Sequence, residues 1–409
     1  MNPTVVVAGA GIAGLGAALA CARAVPGLQV QLLEQADAFG EVGAGLQLGP
    51  NAVRVLDDWG LTPALQAVAA FPDELWVREA LSGRVLSGMA LGARAKARYG
   101  QPYATLHRAD LHALLLQAVQ AQGQTECHLR QRVHRLVQEQ DRVLVQAEGG
   151  WSGEAGLLLG CDGGRSRVRE LCLGDGTLAF SGDLAYRGLI AMEDLPPRLR
   201  QNRVTAWLAP GFHAVQYPVR GGALMNVVVV IEGPLPPPGA AEWDHVAHAT
   251  DLRLAVGDAH DDLDLLLDAV PSWRLWPLNV RPPMRGAHEH GRGRVALLGD
   301  AAHPTRPYLA QGAAMALEDA WTLGRLLDRR LGAPGVEGWG RQRQRWADWR
   351  WRRNAWVQAR SRRNGTVFHL GGPLRWGRDL ALRLAGEALL DQPFLYDGPP
   401  VPPLSHEAA

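Results

Sequence analysis

A glycine-rich turn near the start of the chain has the spacing that brings backbone amides against a phosphate. Gly9, Gly11 and Gly14 stand between an apolar stretch and an alanine-rich one, with Ala13 in the same turn. The first glycine permits a tight turn, the second lets a pyrophosphate approach, and the third lets helix pack on strand. Glu34 follows 20 residues after Gly14, where a carboxylate accepts hydrogen bonds from an unphosphorylated ribose. The pattern predicts a dinucleotide site but does not separate FAD from NAD.

Two segments in the middle of the chain add charges that suit a larger cofactor. Arg108 stands at the start of a predicted helix, where a cation could meet a diphosphate. Alternatively, Arg108 only pairs with Asp110. Asp162 and Gly163 follow an apolar stretch and predict a second turn beneath the cofactor.

A third segment lies about three hundred residues after the first turn. Asp300 ends a predicted buried strand, where its carboxylate could accept from ribityl hydroxyls. Gly312 and Ala313 then open a helix, whose positive end could stabilise negative charge on a reduced flavin. Nucleotide-binding segments at both ends of one fold predict a flavin enzyme rather than an ordinary nicotinamide dehydrogenase.

A histidine and a tyrosine are candidates for acid–base work in the middle of the chain. His213 and Tyr217 lie four residues apart on a predicted strand, so their side chains share one face. Histidine titrates near neutral pH, so His213 could accept or orient a proton. The alternative is that both are structural residues of a half-buried sheet.

The elements that must position these residues change character along the chain. The first 35 residues predict a β-α-β unit, and residues from about 183 to 232 predict successive strands. We therefore expect an α/β fold: a Rossmann-like FAD-binding domain, an inserted, mostly antiparallel β-sheet substrate domain, and C-terminal helices. The predicted bounds are 1–71, 98–175 and 284–331 for the FAD-binding domain, 72–97 and 176–283 for the substrate domain, and 332–409 for the helical region.

Tryptophans form a stripe in the predicted C-terminal helix. Trp339, Trp346, Trp349 and Trp356 fall close together around the helix axis. We favour a helix docked on the main body, and a subunit or lipid contact is the alternative.

Composition excludes several classes of protein. The chain has 409 residues and a net charge of +1, which gives no electrostatic reason to expect nucleic acid as a partner. The four cysteines are scattered without zinc spacing, and no apolar run is long enough for a membrane span. The chain enters a strand at once, without a charged leader. We expect a cytoplasmic, metal-free protein.

The motifs together resemble the class A flavoprotein aromatic hydroxylases, which share the p-hydroxybenzoate hydroxylase fold. The resemblance covers roughly residues 1–330 and depends on Gly9 to Gly14, Asp162-Gly163 and Gly299-Asp300 in that order. Glu41 to Ala52, which includes Gly45, looks like the loop that these enzymes wrap near the isoalloxazine. Within the family, the chain is most similar to the 3-hydroxybenzoate 6-hydroxylase, salicylate hydroxylase and 6-hydroxynicotinate 3-monooxygenase group.

The resemblance implies both cofactors and mechanism. NADH or NADPH, bound transiently, reduces a resident FAD, which reacts with O2 to a C4a-hydroperoxide and hydroxylates a phenolic aromatic acid. His213, Gln311 and Tyr217 would hold the phenol and the carboxylate, with His213 taking the phenolic proton. Pro307 would shape the approach to the flavin. A homodimer is possible.

Two other activities stay open. Decarboxylative hydroxylation, of the salicylate or 6-hydroxynicotinate type, is the first alternative. A flavin dehydrogenase or oxidase that inserts no oxygen is the second, and the absence of a second dinucleotide motif from the sequence argues against a reductase.

Overall fold

Strands dominate the first three quarters of the chain. The structure, a computed structural model, describes residues 4–40, 44–175, 178–235, 245–328 and 338–400. In chain order, the strands are β1 (Thr4–Ala8), β2 (Gln29–Leu33), β3 (Gly45–Leu48), β4 (Glu74–Glu79), β5 (Val85–Ala90), β6 (Ala104–His107), β7 (Thr125–His128), β8 (Val133–Gln138), β9 (Val143–Ala147), β10 (Ser152–Ala155), β11 (Leu157–Gly160), β12 (Ala179–Ala191), β13 (Arg203–Ala209), β14 (Phe212–Val219), β15 (Leu224–Glu232), β16 (His245–Ala247), β17 (Trp273–Val280) and β18 (Val295–Leu297).

Helices separate the early strands and then fill the C-terminal part. They are α1 (Ile12–Ala24), α2 (Pro50–Asp58), α3 (Thr62–Val68), α4 (Gly92–Tyr99), α5 (Arg108–Gln122), α6 (Arg167–Leu173), α7 (Ala249–Val256), α8 (Asp261–Asp268), α9 (Gly312–Leu327), α10 (Trp339–Phe368), α11 (Gly372–Ala385), α12 (Glu387–Leu390) and α13 (Pro393–Tyr396). In the described part of the chain, no helix is long and apolar enough to cross a membrane.

A five-stranded sheet in the order β18-β11-β1-β2-β7 carries the predicted nucleotide-binding turns. Each neighbouring pair in it is parallel. Its central strands are apolar because both faces are covered, so that Val5 to Val7 and Leu157 to Leu159 are fully buried. Helices α1, α5 and α9 cover one face, and α6 with the three-stranded sheet of β8, β9 and β10 covers the other. The carboxyl ends of β1, β11 and β18 therefore meet at one edge. That edge is the usual place for a ligand in an open α/β sheet.

An eight-stranded sheet forms the second layer, in the order β16-β17-β12-β15-β14-β13-β4-β5. All its neighbours are antiparallel except β13 and β4. The predicted fold class, a Rossmann-like domain with a mostly antiparallel inserted sheet, is confirmed. The residue bounds of the domains remain a prediction, although β4 and β5 do join the large sheet.

The long helix α10 is anchored in the interior of the nucleotide-binding layer. Trp339 and Trp346 are fully buried in the same apolar cluster as β1 and α1, whereas Trp349 is 36% exposed. Buried ion pairs add to this contact: Arg350 Nε lies 2.8 Å from Asp319 Oδ1, and Arg353 Nη2 lies 2.7 Å from Glu318 Oε1. The first two tryptophans therefore serve the docking of a helix.

Candidate active site

The turn between β1 and α1 and the start of α1 each require a glycine. Gly9 has a φ of +98°, and a Cβ there would lie 2.5 Å from the carbonyl oxygen of Cys161. A Cβ on Gly14 would overlap the carbonyl oxygen of Gly9. Helix α1 begins just after Gly11, and no acidic side chain lies in its first turn. Its free amides are therefore available to an anion.

The Glu34 carboxylate is held at the end of β2 by two backbone amides. The amide of Ala10 donates to Oε2 at 2.7 Å, and the amide of Ala36 donates to Oε1 at 2.9 Å. A carboxylate has about four acceptor positions, so each oxygen keeps capacity for another donor. This position suits a carboxylate that accepts from ribose hydroxyls.

A cavity of about 600 Å³ runs from this turn to the large sheet. Thirteen of the fifteen residues predicted from sequence line it. They are Gly9, Gly11, Ala13, Glu34, Gly45, Arg108, Asp162, Asp300, Pro307, Gly312, Ala313, His213 and Tyr217. The other two lie behind it: Gly14 in the contact of α1 with β1, and Gln311 before α9.

Two acidic residues and a helix N-terminus face the middle of this cavity. The Asp162 carboxylate accepts from the hydroxyl of Ser166 and, at 3.0 Å, from the amide of Val168. Asp300 is exposed toward solvent, and Gly312 begins α9 beside it. Residues 41–43 of the predicted flavin loop lie outside the described residues.

Gly45 joins the nucleotide-binding layer to the large sheet. Its amide donates to Asn226 Oδ1 at 2.7 Å, and a Cβ would lie 2.5 Å from Asn226 Cγ and 2.7 Å from Tyr217 Cε2. Only glycine allows this close approach. The start of β3 is thereby fixed against β14 and β15, which carry Tyr217 and Asn226.

Gln311 is placed differently from the substrate contact that the sequence predicts. Its side chain is 3% exposed, and its Oε1 accepts from Asn51 Nδ2 at 3.0 Å. Asn51 Nδ2 also lies 2.8 Å from Glu318 Oε1. This geometry favours a positioning role for Gln311 at the start of α9, and its contact with substrate remains a prediction.

His213 and Tyr217 both face the cavity from β14, as the strand spacing predicts. The His213 ring is buried, and its Nδ1 lies 2.8 Å from His369 Nε2. Burial, together with His369, holds the pKa of His213 well below 6.5. Burial raises the pKa of Tyr217, against a smaller opposing effect of Arg187, so its hydroxyl stays protonated.

Arg187, a cation that lines the same end of the cavity, was not among the residues predicted from sequence. It lies on β12, and its guanidinium stacks on the Trp276 ring at 3.9 Å. Burial lowers the pKa of Arg187 to about 10, so it remains charged at neutral pH. Among the described residues, no carboxylate pairs with it, and its Nε has no hydrogen-bond partner. The available signal was a single charged residue within an otherwise uncharged stretch of strand, from Leu184 to Ala191.

Known proteins resemble this chain in sequence and in fold. The family described as "FAD binding domain" matches residues 2–337. The 3-hydroxybenzoate 6-hydroxylase of Polaromonas naphthalenivorans is 38% identical over 324 residues, 79% of this chain and 78% of that protein. The 3-amino-4-hydroxybenzoate 2-monooxygenase PtnB3 of Streptomyces platensis is 35% identical and covers 97% of this chain and 96% of its own. A salicylate hydroxylase–substrate complex superposes with a TM-score of 0.80 at 24% identity, covering 98% of both chains.

Proposed function

This chain belongs to the FAD-dependent aromatic hydroxylases, and from that premise we propose that its substrate is an aromatic ring carrying both a hydroxyl and a carboxylate. The observation that carries the proposal is Arg187, a charged guanidinium that faces the cavity without a carboxylate partner among the described residues. A buried charge is costly unless it is paired. A carboxylate on the substrate would supply the missing partner.

The residues of the first turn and the middle of the cavity fit FAD. Gly9 and Gly14 leave no room for a Cβ, so the backbone can approach a diphosphate at the start of α1. Glu34 would hold the adenosine ribose, Arg108 the diphosphate, and Asp162 and Asp300 the more distal hydroxyls. Ala13, Gly45, Pro307, Gly312 and Ala313 would border the ring system. When bound and reduced by NADH or NADPH, FAD supplies the activated oxygen that is transferred to the ring.

His213 would take the proton of the ring hydroxyl. A phenolate is a better nucleophile toward an electrophilic oxygen than a phenol, so a base at this position speeds the transfer. Nδ1 of His213 is engaged with His369. Nε2, on the other edge of the ring, is therefore the atom left to face the substrate.

Tyr217 and Arg187 would orient the substrate ring between them. Tyr217 stays neutral and can donate its hydroxyl proton to a carboxylate or a ring oxygen. The sheet residues around them are apolar, with Val215, Val228 and Val230 lining the cavity. Such a lining excludes water, which protects the activated oxygen from unproductive loss as hydrogen peroxide.

Product analysis after aerobic turnover tests the proposal. Candidate hydroxybenzoates and their uncharged amides would be compared for stimulation of NADH oxidation, and the products separated by chromatography. We expect acids to stimulate and amides not to, with the carboxylate retained in the product. Release of carbon dioxide would instead establish the decarboxylative alternative. NADH oxidation that yields only a dehydrogenated product would contradict oxygen insertion.

Oxygen as co-substrate, a homodimer and a cytoplasmic location are further parts of the proposal. Oxygen uptake matched to product tests the first, and light scattering on the FAD-loaded protein tests the second. Fractionation of the native host tests the third.

A further inference from the structure

A chain of hydrogen bonds leads from the candidate base to the protein surface. His213 Nδ1 lies 2.8 Å from His369 Nε2, and His369 Nδ1 lies 3.0 Å from Glu232 Oε1. The two histidine rings are buried, whereas the side chain of Glu232 is 60% exposed. We propose that these three residues form a relay that carries the proton of the ring hydroxyl from the cavity to solvent.

The exposed carboxylate fixes the direction in which each group donates. An ionised carboxylate only accepts, so His369 Nδ1 carries the hydrogen and its Nε2 accepts. His213 Nδ1 then carries the next hydrogen, which leaves a lone pair on Nε2 for the cavity. Every group in the path is thus arranged to pass a proton outward.

The transfer of one proton along this path conserves atoms and charge. The O–H bond of the substrate breaks, and its proton binds His213 Nε2. The Nδ1 proton of His213 moves to His369 Nε2, and the Nδ1 proton of His369 moves to Glu232. Glu232 releases it to water, and both rings end as neutral imidazoles of the opposite tautomer. Between turnovers the original tautomers return in one of two ways. Either the rings rotate, or Glu232 takes a proton from water and passes it inward while His213 Nε2 releases its proton to water in the cavity.

Burial explains why a relay helps more than a lone base. Burial, together with His369, holds the pKa of His213 well below 6.5, so a proton retained there would be unstable. Burial also lowers the pKa of His369, although Glu232 and Asp183 oppose this effect and Arg306 adds to it. Asp183 and Arg306 pair at 3.0 Å, so their charges largely offset each other. Exporting the proton places the charge where water can solvate it.

The backbone holds the path in one geometry. The amide of Gly211 donates to the His369 carbonyl at 3.2 Å, and the amide of Glu232 donates to the Gly211 carbonyl at 3.0 Å. Aromatic rings pack against His213, with Tyr308 at 4.8 Å and Phe368 at 5.4 Å between ring centroids. The relay therefore combines strands β14 and β15 with the end of α10.

This inference rests on the proposed function, and its test uses a coloured substrate mimic. FAD-loaded protein would be mixed with 3-hydroxy-4-nitrobenzoate, whose phenolate absorbs visible light. Stopped-flow absorbance after a jump from acid to neutral pH would follow ionisation of the bound mimic. We expect His369→Gln to slow this step about 10²-fold, at the lower end of the usual effect of a positioned acid–base group. Glu232→Gln should slow it measurably but less, because Glu232 lies at the surface, where water can also accept the proton. Added imidazole should restore part of the rate.

Matched variants and separate readouts keep the outcomes distinct. His134→Gln and Glu193→Gln change exposed residues of the same types, and we expect wild-type rates from both. Glu232→Gln should leave the final extent of ionisation nearly unchanged, because Glu232 is exposed and supplies only a route. Wild-type rates in both His369→Gln and Glu232→Gln, with a slow His213→Gln, would overturn the relay alone. Failure of the wild-type protein to bind the mimic would contradict the proposed function itself.

Because His369 is buried, its variant could fail to fold. In that case the Glu232→Gln variant, which alters only an exposed side chain, tests the relay by itself. Normal ionisation in that variant, without imidazole sensitivity, would contradict the surface exit.

Discussion

Replacing Arg187 with methionine should weaken substrate binding and at the same time stabilise the substrate-free protein. Methionine keeps the length of the side chain and removes its charge. Without substrate, the half-buried guanidinium is only partly solvated and has no carboxylate partner among the described residues. The two effects have opposite signs, and a purely structural arginine would not produce this combination.

The magnitudes follow from the position of Arg187. Its pKa falls from 12.5 to about 10, which places an upper limit of about 3 kcal/mol on the penalty of burying the charge. Water in the cavity reduces this, so we expect a gain of roughly 1 kcal/mol in the free energy of unfolding. Loss of a buried charge pair with the substrate costs about 3 kcal/mol, which raises Kd about 10²-fold.

The assay compares a hydroxybenzoate with its amide. Flavin difference spectra would give Kd for both ligands, and thermal unfolding would be followed without ligand. Only the acid should lose affinity, because the amide never paired with the guanidinium. Arg203→Met is the control: Arg203 also stacks on a tryptophan of the large sheet, Trp76 at 3.5 Å, but it pairs with Glu74 and does not line the cavity. Equal losses for acid and amide, or a lower melting temperature of the Arg187 variant, would refute the reasoning.

Three further changes test the remaining parts of the site and fold. Gly11→Leu should give a folded but colourless protein, because the side chain projects into the cavity where the diphosphate approaches; absorbance and circular dichroism check this. His213→Ala should slow hydroxylation about 10²-fold and lower product per NADH, with little change in FAD affinity, and an unchanged yield would exclude His213 as the base. Arg350→Met should destabilise the protein by about 3–5 kcal/mol at neutral pH, because it leaves Glu318 and Asp319 under-compensated in the interior. The folded-state pKa values of both carboxylates are lowered by their arginine and histidine partners against the effect of burial, so this contribution is present above about pH 4 and declines as pH falls below it. Chemical denaturation at neutral and acid pH should therefore show a smaller difference between Arg350→Met and wild type in acid.

The features predictable from sequence were those set by local geometry. Gly9 and Gly14 are required by a turn and a close helix contact, both within a few residues, so their spacing alone indicates the fold. His213 and Tyr217 share a face because alternation along a strand is strict. Local rules of this kind, together with the family resemblance that supplied Gly45 and Pro307, identified thirteen residues that line one cavity.

The features that could not be predicted from sequence depend on packing between segments that are far apart in the chain. Arg187 faces the cavity only because β12 pairs with β15 and β17 in one particular register. His369 reaches His213 across 156 residues of sequence, because α10 ends beside β14. Gln311 is engaged by Asn51, which is 260 residues away. Strand register and helix docking are decided by the whole core, so no window of sequence contains them.

The burial of Trp339 and Trp346 affects how the protein unfolds. Both indoles complete the cluster that supports β1 and α1, so removing the C-terminal helices would open large apolar voids beneath the dinucleotide turn. Flavin release and detachment of α10 should then occur in a single cooperative transition. Fragments that end before Trp339 should therefore be less stable and retain less flavin than the intact chain, even though they contain the complete glycine turn.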